Sequence, residues 1–194
     1  MTITRTRVES TQTTVDLQNL NSFITGYGFR KPHDFEEIHR ARSFAADLIG
    51  PNIAEAKALA AAEKVSGISI IIFEEAGQIT GVGAFLLLSM RGLEAIIDGT
   101  FDAVDPSFSH LSIGGRDIYA TYAWGGAATT KASKRAVVSI ASGMSDAFFN
   151  AVPSFARAIT QDGERAMREH LAYLNFEGKE NGLLWRPATC CVMQ

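Results

Sequence analysis

Residues 117–150 read DIYATYAWGGAATTKASKRAVVSIASGMSDAFFN, and their reading decides the fold. Asp117–Trp124 is rich in β-branched and aromatic residues, which predicts a strand. Gly125-Gly126 is expected to end it. Val137, Ile140, Ala141, Met144 and Phe148 then recur at three- and four-residue steps, the mark of an amphipathic helix. The 28 residues between Asp117 and Asp146 contain no Asp or Glu, where the chain's average of 21 acids in 194 residues would place about three. Lys131, Lys134 and Arg135 fall in the loop and at the start of the helix. Unpaired backbone N–H groups and the helix dipole already favour anions there. Gly125 and Gly126 allow the backbone to approach a ligand closely. These features predict a cradle for a pyrophosphate. The plainer alternative is a tight Gly-Gly turn followed by a solvated basic helix start. The segment is neither G-x-x-x-x-G-K-[ST] nor G-x-G-x-x-G, so it is not a P-loop or a dinucleotide fingerprint.

Working back from this unit, Gly67–Glu75 (GISIIIFEE) and Ile79–Leu88 flank the turn Ala76-Gly77-Gln78 and predict an antiparallel hairpin. Both runs are apolar on both faces, so the hairpin belongs inside a sheet covered on each side. Before it, Phe35, Ile38, Ala41, Ala45, Leu48 and Ile49 share one helical face after Asp34, up to Gly50-Pro51. Asn52 is expected to cap a second helix, with Glu55 as its capping-box partner, running to about Val65. Residues 1–21 are polar and rich in Thr, Gln and Asn, and read as a flexible arm or edge segment. Phe23, Ile24, Tyr27 and Phe29 suggest a short strand broken by Gly26 and Gly28.

On the other side, Leu93, Ile96, Ile97 and Val104 suggest a short helix between the hairpin and a loop at Pro106–Arg116. After Pro153, Phe155–Ile159 predicts a strand, Thr160 a helix cap, and the helix runs to about Tyr173. Phe176 and Leu183–Arg186 read as a final hairpin. Residues 22–194 therefore form one domain of the α+β (mixed α/β) class, with a single central, mostly antiparallel sheet covered by helices on both faces.

Composition narrows the function. The chain is 46% hydrophobic and 20% charged, with 18 basic against 21 acidic residues and a net charge of −3. That balance argues against a general nucleic-acid binder. The longest uncharged stretch, Ala76–Met90, is too short and too broken by glycines to span a bilayer. The first residues, MTITRTRVESTQTT, lack the apolar core of a signal peptide. The two cysteines, Cys190 and Cys191, are adjacent and offer no disulfide framework. A cytoplasmic protein is expected. His33, His39, His110 and His170 show no metal-ligand spacing, so no metal is expected.

The order of elements resembles the GNAT superfamily of N-acetyltransferases across roughly Ser22–Pro187. Two helices precede the hairpin Ile68–Leu88 and the strand Asp117–Trp124. The run Phe155-Ala156-Arg157-Ala158-Ile159-Thr160, then Asp162-Gly163 and Arg165, then Leu174-Asn175-Phe176, is similar to the strand, helix and "LGF" ending of these enzymes. The resemblance implies that the strands at Asp117–Trp124 and Phe155–Ile159 splay into a V. Acetyl-CoA or another acyl-CoA would lie there as co-substrate, held by Tyr122, Ala123, Trp124, Gly125, Gly126, Lys131, Lys134 and Arg135. An amine of a small molecule or a protein would accept the acyl group. A homodimer is also implied, and the apolar end of the chain, Leu183-Leu184-Trp185 and Cys190–Met193, adds to that expectation.

The sequence departs from the family in three places. The family loop Gln/Arg-x-x-Gly-x-Gly/Ala is replaced by Gly125–Arg135. Asn175 stands for the glycine of "LGF", and Leu171 stands where many members carry a tyrosine acid. Glu74 and Glu75 are candidates for a general base, against the plainer reading of a solvated pair at a turn. Tyr173 is a candidate acid, yet a continuous helix would turn it about 200° away from the position of Leu171. Tyr122 and Trp124 share one strand face, and sheet-covering roles compete with contact to an acyl group. Ser145 lies within a helix and lacks the strand–turn–helix setting of a hydrolase serine. Two functions remain open: acyl transfer from CoA to an amine, and a binding module of the same fold without turnover.

Overall fold

The computed structural model describes residues 8 and 10–189. In chain order the elements are α1 (Leu17–Gly26), β1 (Phe29–Arg30), α2 (Phe35–Ile49), α3 (Ala56–Ser66), β2 (Ile70–Glu75), β3 (Gln78–Leu88), α4 (Met90–Asp98), β4 (Ala120–Ala128), α5 (Lys131–Ala147), β5 (Ser154–Arg157), α6 (Gln161–Leu171), β6 (Leu174–Asn175) and β7 (Leu183–Arg186). The strands form one sheet in the order β1-β2-β3-β4-β5-β7-β6. Every neighbouring pair is antiparallel except β4 and β5, which are parallel. The class is α+β with a mixed, mostly antiparallel sheet.

Helices cover both faces, for the reason visible in β2. Successive side chains point to opposite sides of a strand. Ile70 and Ile72 pack with Ile38, Ala41 and Leu59 of α2 and α3. Ile71 packs with Leu20 and Ile24 of α1 and Ile140 and Met144 of α5. Along β3, Leu86 and Leu88 meet Leu93 and Ile96 of α4, while Phe85 and Leu87 face α1 and α5. Ile71 and Ile72 are 1% and 0% exposed, and burial of each contributes about 1.5–3 kcal/mol. The β2–β3 turn holds Ala76 and Gly77 at φ of 50° and 74°. Two positive φ values in a two-residue loop match the right-handed twist of the flanking strands.

Several boundaries differ from the sequence reading. The expected strand around Phe23 is helical: Asp16 accepts hydrogen bonds from the N–H groups of Gln18 and Asn19, and Leu20 and Ile24 are buried one turn apart. Of the expected arm, residues 1–7 and 9 lie outside the described residues. The remainder is tied down. Thr13 and Ile118 exchange backbone hydrogen bonds of 2.9 and 2.8 Å, Val15 is buried, and α1 crosses the boundary placed at residue 21. α3 starts at Ala56, and no side chain caps it, so the box at Asn52 and Glu55 does not form. Gly99, at φ 68°, ends α4 before Val104, which stays half exposed. Leu183 and Leu184 pair with β5 and are buried within the chain's own sheet, so they supply no exposed contact surface. Cys190–Met193 lie outside the described residues.

Candidate functional site

β4 is the element that creates a site. On one side β3 pairs with it along its length, from Leu88↔Ala120 to Gly81↔Ala128. On the other side β5 pairs only with Thr121, Tyr122 and Ala123, opposite Ser154, Phe155 and Ala156. Beyond Ala123, β4 has no strand partner on the β5 side. A bulge falls at the same point: Phe85 faces Ala123 and Ala84 faces Gly125, so Trp124 stands opposite no residue of either neighbour. A bulge takes its extra residue out of the ladder and bends the strand.

Gly125 and Gly126 do not end the strand, as the sequence suggested. They lie within it, and Gly126 serves packing. A Cβ there would come within 3.2 Å of Val137 Cγ1 on α5, and one at Gly81 within 3.1 Å of the Ser133 Cβ. The missing side chains let α5 dock close against β3 and β4. A Cβ at Gly125 would meet nothing within 4 Å.

α5 begins with a built cap. Thr130 Oγ1 accepts from the Ser133 N–H at 3.0 Å, and the Thr130 N–H donates to Ser133 Oγ at 3.1 Å, a reciprocal capping box. Thr130 Oγ1 also donates to Glu75 Oε2 at 2.6 Å, and Thr80 donates to the same oxygen at 2.8 Å. These hydroxyls, Thr130 first, hold the Glu75 carboxyl below its usual range. Glu75 therefore braces the start of α5. Glu74 pairs with Arg30 at 2.9 Å. Neither glutamate borders the cavity described next.

Two spaces flank the diverging strands. One is a cavity of about 180 Å³ between the sheet, α5 and α6. Its walls include Ala123, Gly125 and Gly126 of β4, Phe85 of β3, and Ile140 and Met144 of α5. The other is an open crevice of about 1100 Å³ between the start of α5 and the start of α6. Lys134, Arg135 and Arg165 border it, with Asp162 as its one acidic residue. The two spaces share Gly126, Val137, Val138, Gly163 and Ala166, so they adjoin. Lys134 and Arg135 form no ion pair among the described residues, whereas Arg165 pairs with Asp162 at 3.2 Å.

The remaining candidates separate by strand face. Tyr122 and Trp124 point away from the cavity. The Tyr122 ring packs 5.3 Å from that of Phe101, and burial pushes its hydroxyl up to about 12. Trp124 Nε1 donates to the Ala103 carbonyl. Trp124 borders a small gap against α2 and α3. Lys131, the first residue of α5, borders neither the cavity nor the crevice.

Tyr173 moves the other way. α6 ends at Leu171, where the Met167 carbonyl accepts from the N–H groups of both Ala172 and Tyr173, and Ala172 takes a left-handed φ of 56°. That turn breaks the helical register and brings both Leu171 and Tyr173 to the cavity wall. The Tyr173 hydroxyl lies 2.5 Å from Ser154 Oγ, both groups buried. Burial raises the tyrosine pKa, against an opposing effect of the Ser154 hydrogen bond. Arg186 closes this end, donating to Ser145 Oγ at 2.7 Å and to Asp146 at 2.6 Å.

Ser154 and Arg186 escaped the sequence reading. Neither belongs to a motif, and only the pairing of β5 with β7, Ser154 opposite Arg186, brings them together. Among the described residues no three of His, Cys, Asp and Glu gather as a metal site, and no helix is long and apolar enough to cross a membrane. No protein-family model matches the chain, and no curated protein matches its sequence.

Proposed function

We propose that the chain binds an acyl-CoA where β4 and β5 diverge and transfers the acyl group to an amine. One observation carries this reading: a crevice with net positive charge adjoins an apolar cavity at the unpaired half of β4. A ligand with a polyanionic head and an apolar tail matches that sequence of surroundings. The bipartite strand divergence also resembles the V of the GNAT superfamily.

In this reading the phosphates of CoA lie in the crevice near Lys134, Arg135 and Arg165, and charge-assisted hydrogen bonds supply much of the affinity. The pantetheine arm follows β4 past Gly126. The bulge at Trp124 presents backbone outside the ladder to the thioester carbonyl, and a backbone N–H there would stabilise the oxyanion. The amine nitrogen forms a bond to the carbonyl carbon, and the carbon–sulfur bond breaks. The nitrogen loses its proton to water, the Tyr173 hydroxyl gives its proton to the leaving thiolate, and the tyrosinate takes up the proton released to water. Holding the two reactants together supplies most of the acceleration.

A second reading, a CoA-binding protein without turnover, draws support from the glutamates. Glu74 is held by Arg30 and Glu75 by Thr130 and Thr80, so neither is available as a base at the cavity. Calorimetry with CoA followed by thiol release from acetyl-CoA in the presence of a panel of amines tests both readings. CoA binding with amine-dependent thiol release supports transfer. Binding without release supports the second reading, and no binding overturns both.

A further inference from the structure

We infer that the end of the cavity beside Met144 is a subsite for a carboxylate, carried either by the acyl group or by the amine that accepts it; this rests on the acyl-CoA reading above. The cavity walls are apolar except at that end. There the sheet sets three polar residues in a row. Thr121 of β4 stands opposite Ser154 of β5, and Ser154 stands opposite Arg186 of β7. Side chains paired across neighbouring strands share a face of the sheet. All three border the cavity, and Arg186 reaches on to Ser145, the residue after Met144 in α5.

This end holds donors that the protein leaves without acceptors. Thr121 is 6% exposed, and its hydroxyl forms no hydrogen bond among the described residues. A buried hydroxyl left unpaired carries a desolvation penalty. The Arg186 side chain is 17% exposed, and a guanidinium has five N–H donors. Arg186 spends one on Ser145 and one on Asp146. Asp146 is 62% exposed and lies outside the cavity wall, so it meets Arg186 from the solvent side, where water weakens such a pair. Arg186 is the one charged residue on that wall among the described residues, which include no Asp or Glu there. The Ser154–Tyr173 pair keeps a single O–H beyond its own bond, and the leaving thiolate takes that one. Arg186, Thr121 and the Ser145 hydroxyl remain. A carboxylate accepts at both oxygens and donates nothing, which matches this set, whereas an ammonium would meet Arg186 as a like charge. Thr121 lies two residues before Ala123, about 7 Å along β4 from the edge of the bulge. A short dicarboxylic acyl group, or an amine with its carboxylate a few bonds away, spans that gap.

The test is calorimetry on the whole chain in two arms. The first compares succinyl-CoA with butyryl-CoA, which differ by a carboxylate in place of a methyl group. The second compares β-alanine with propylamine, titrated into the chain saturated with CoA. A preference of about tenfold or more for the carboxylate is expected in one arm, the scale of hydrogen bonds to a charged group. The first arm would place the carboxylate on the acyl group, the second on the acceptor. Arg186→Met and Thr121→Val should each reduce that preference, Arg186→Met to within about threefold, well under one logarithmic unit. No preference in either arm, with CoA bound, would overturn the carboxylate inference and leave the acyl-CoA reading in place. A preference that survives both substitutions would overturn it as well, by placing the carboxylate elsewhere. No binding of any CoA species would overturn the acyl-CoA reading and this inference with it. If Arg186→Met does not fold, Thr121→Val decides, since the Thr121 hydroxyl holds no bond within the fold among the described residues.

Discussion

The Tyr173 hydroxyl and the Ser154 Oγ stand 2.5 Å apart on the wall of the cavity, one from the end of α6 and the other from β5. The left-handed Ala172 makes this pairing possible. Burial raises the tyrosine pKa, so the hydroxyl keeps its proton throughout the neutral range. A group in that state can donate a proton and cannot act as a base. Tyr173→Phe should therefore lower turnover about a hundredfold, the lower end of the general-acid span, with acyl-CoA affinity unchanged. Turnover within tenfold of wild type in single-turnover assays would remove Tyr173 from the chemistry.

Lys134 and Arg135 border the crevice and Lys131 does not. Lys134→Ala or Arg135→Ala should each weaken CoA binding by about 1–2 kcal/mol, and by more at low salt, because exposed charges are screened. Lys131→Ala should leave the affinity within about twofold, as expected for a charge outside the site. Calorimetry at two salt concentrations measures this, and an equal loss for all three variants would argue for diffuse attraction.

Gly125 and Gly126 adjoin in β4 but face different surroundings. Gly126→Leu should destabilise the fold by about 1–3 kcal/mol, because its side chain enters the contact of β4 with Val137. Gly125→Ala, with open space at its Cβ, should change stability by no more than about 0.5 kcal/mol. Urea unfolding of the two variants checks the contrast.

Most of the architecture was legible because it rests on local patterns. The apolar run of β2 and the spacing of Val137, Ile140 and Met144 announced a covered sheet and its helix. What stayed hidden depends on distant partners. The strand continues through Gly125-Gly126 because β3 keeps pairing with it and α5 needs the room, and neither fact is written at the glycines themselves. α1 was obscured by its Thr-, Gln- and Asn-rich approach, although Asp16 and the Leu20–Ile24 spacing were its signals. Tyr173 was misplaced by assuming that α6 runs unbroken. The basic side of the site was half legible: Lys134 and Arg135 border the crevice, and Glu75 occupies a place at the α5 cap that no local rule assigns.

Away from the site, Glu37 is almost fully buried and accepts both Arg30 guanidinium nitrogens at 2.7 Å. Those bonds hold its carboxyl down to about 2, below the ordinary glutamate value of 4.5. A depressed carboxylate stabilises the fold above its unfolded pKa and ceases to do so as pH falls through the folded one. Part of the acid sensitivity between about pH 4.5 and 2 should therefore belong to Glu37. Glu37→Gln should lower stability at neutral pH by about 1–3 kcal/mol and flatten that limb of the profile, measured by urea unfolding across pH. An unchanged slope would assign the acid limb to other groups.

The central claim is that the unpaired half of β4 is where CoA lies, and backbone amide NMR of the labelled chain titrated with CoA addresses it directly. The largest shifts should fall on Trp124–Ala128 of β4, with further shifts at Val137 and Val138 of α5 and Gly163 and Ala166 of α6. Shifts confined to other surfaces, or none at saturating CoA, would contradict the account.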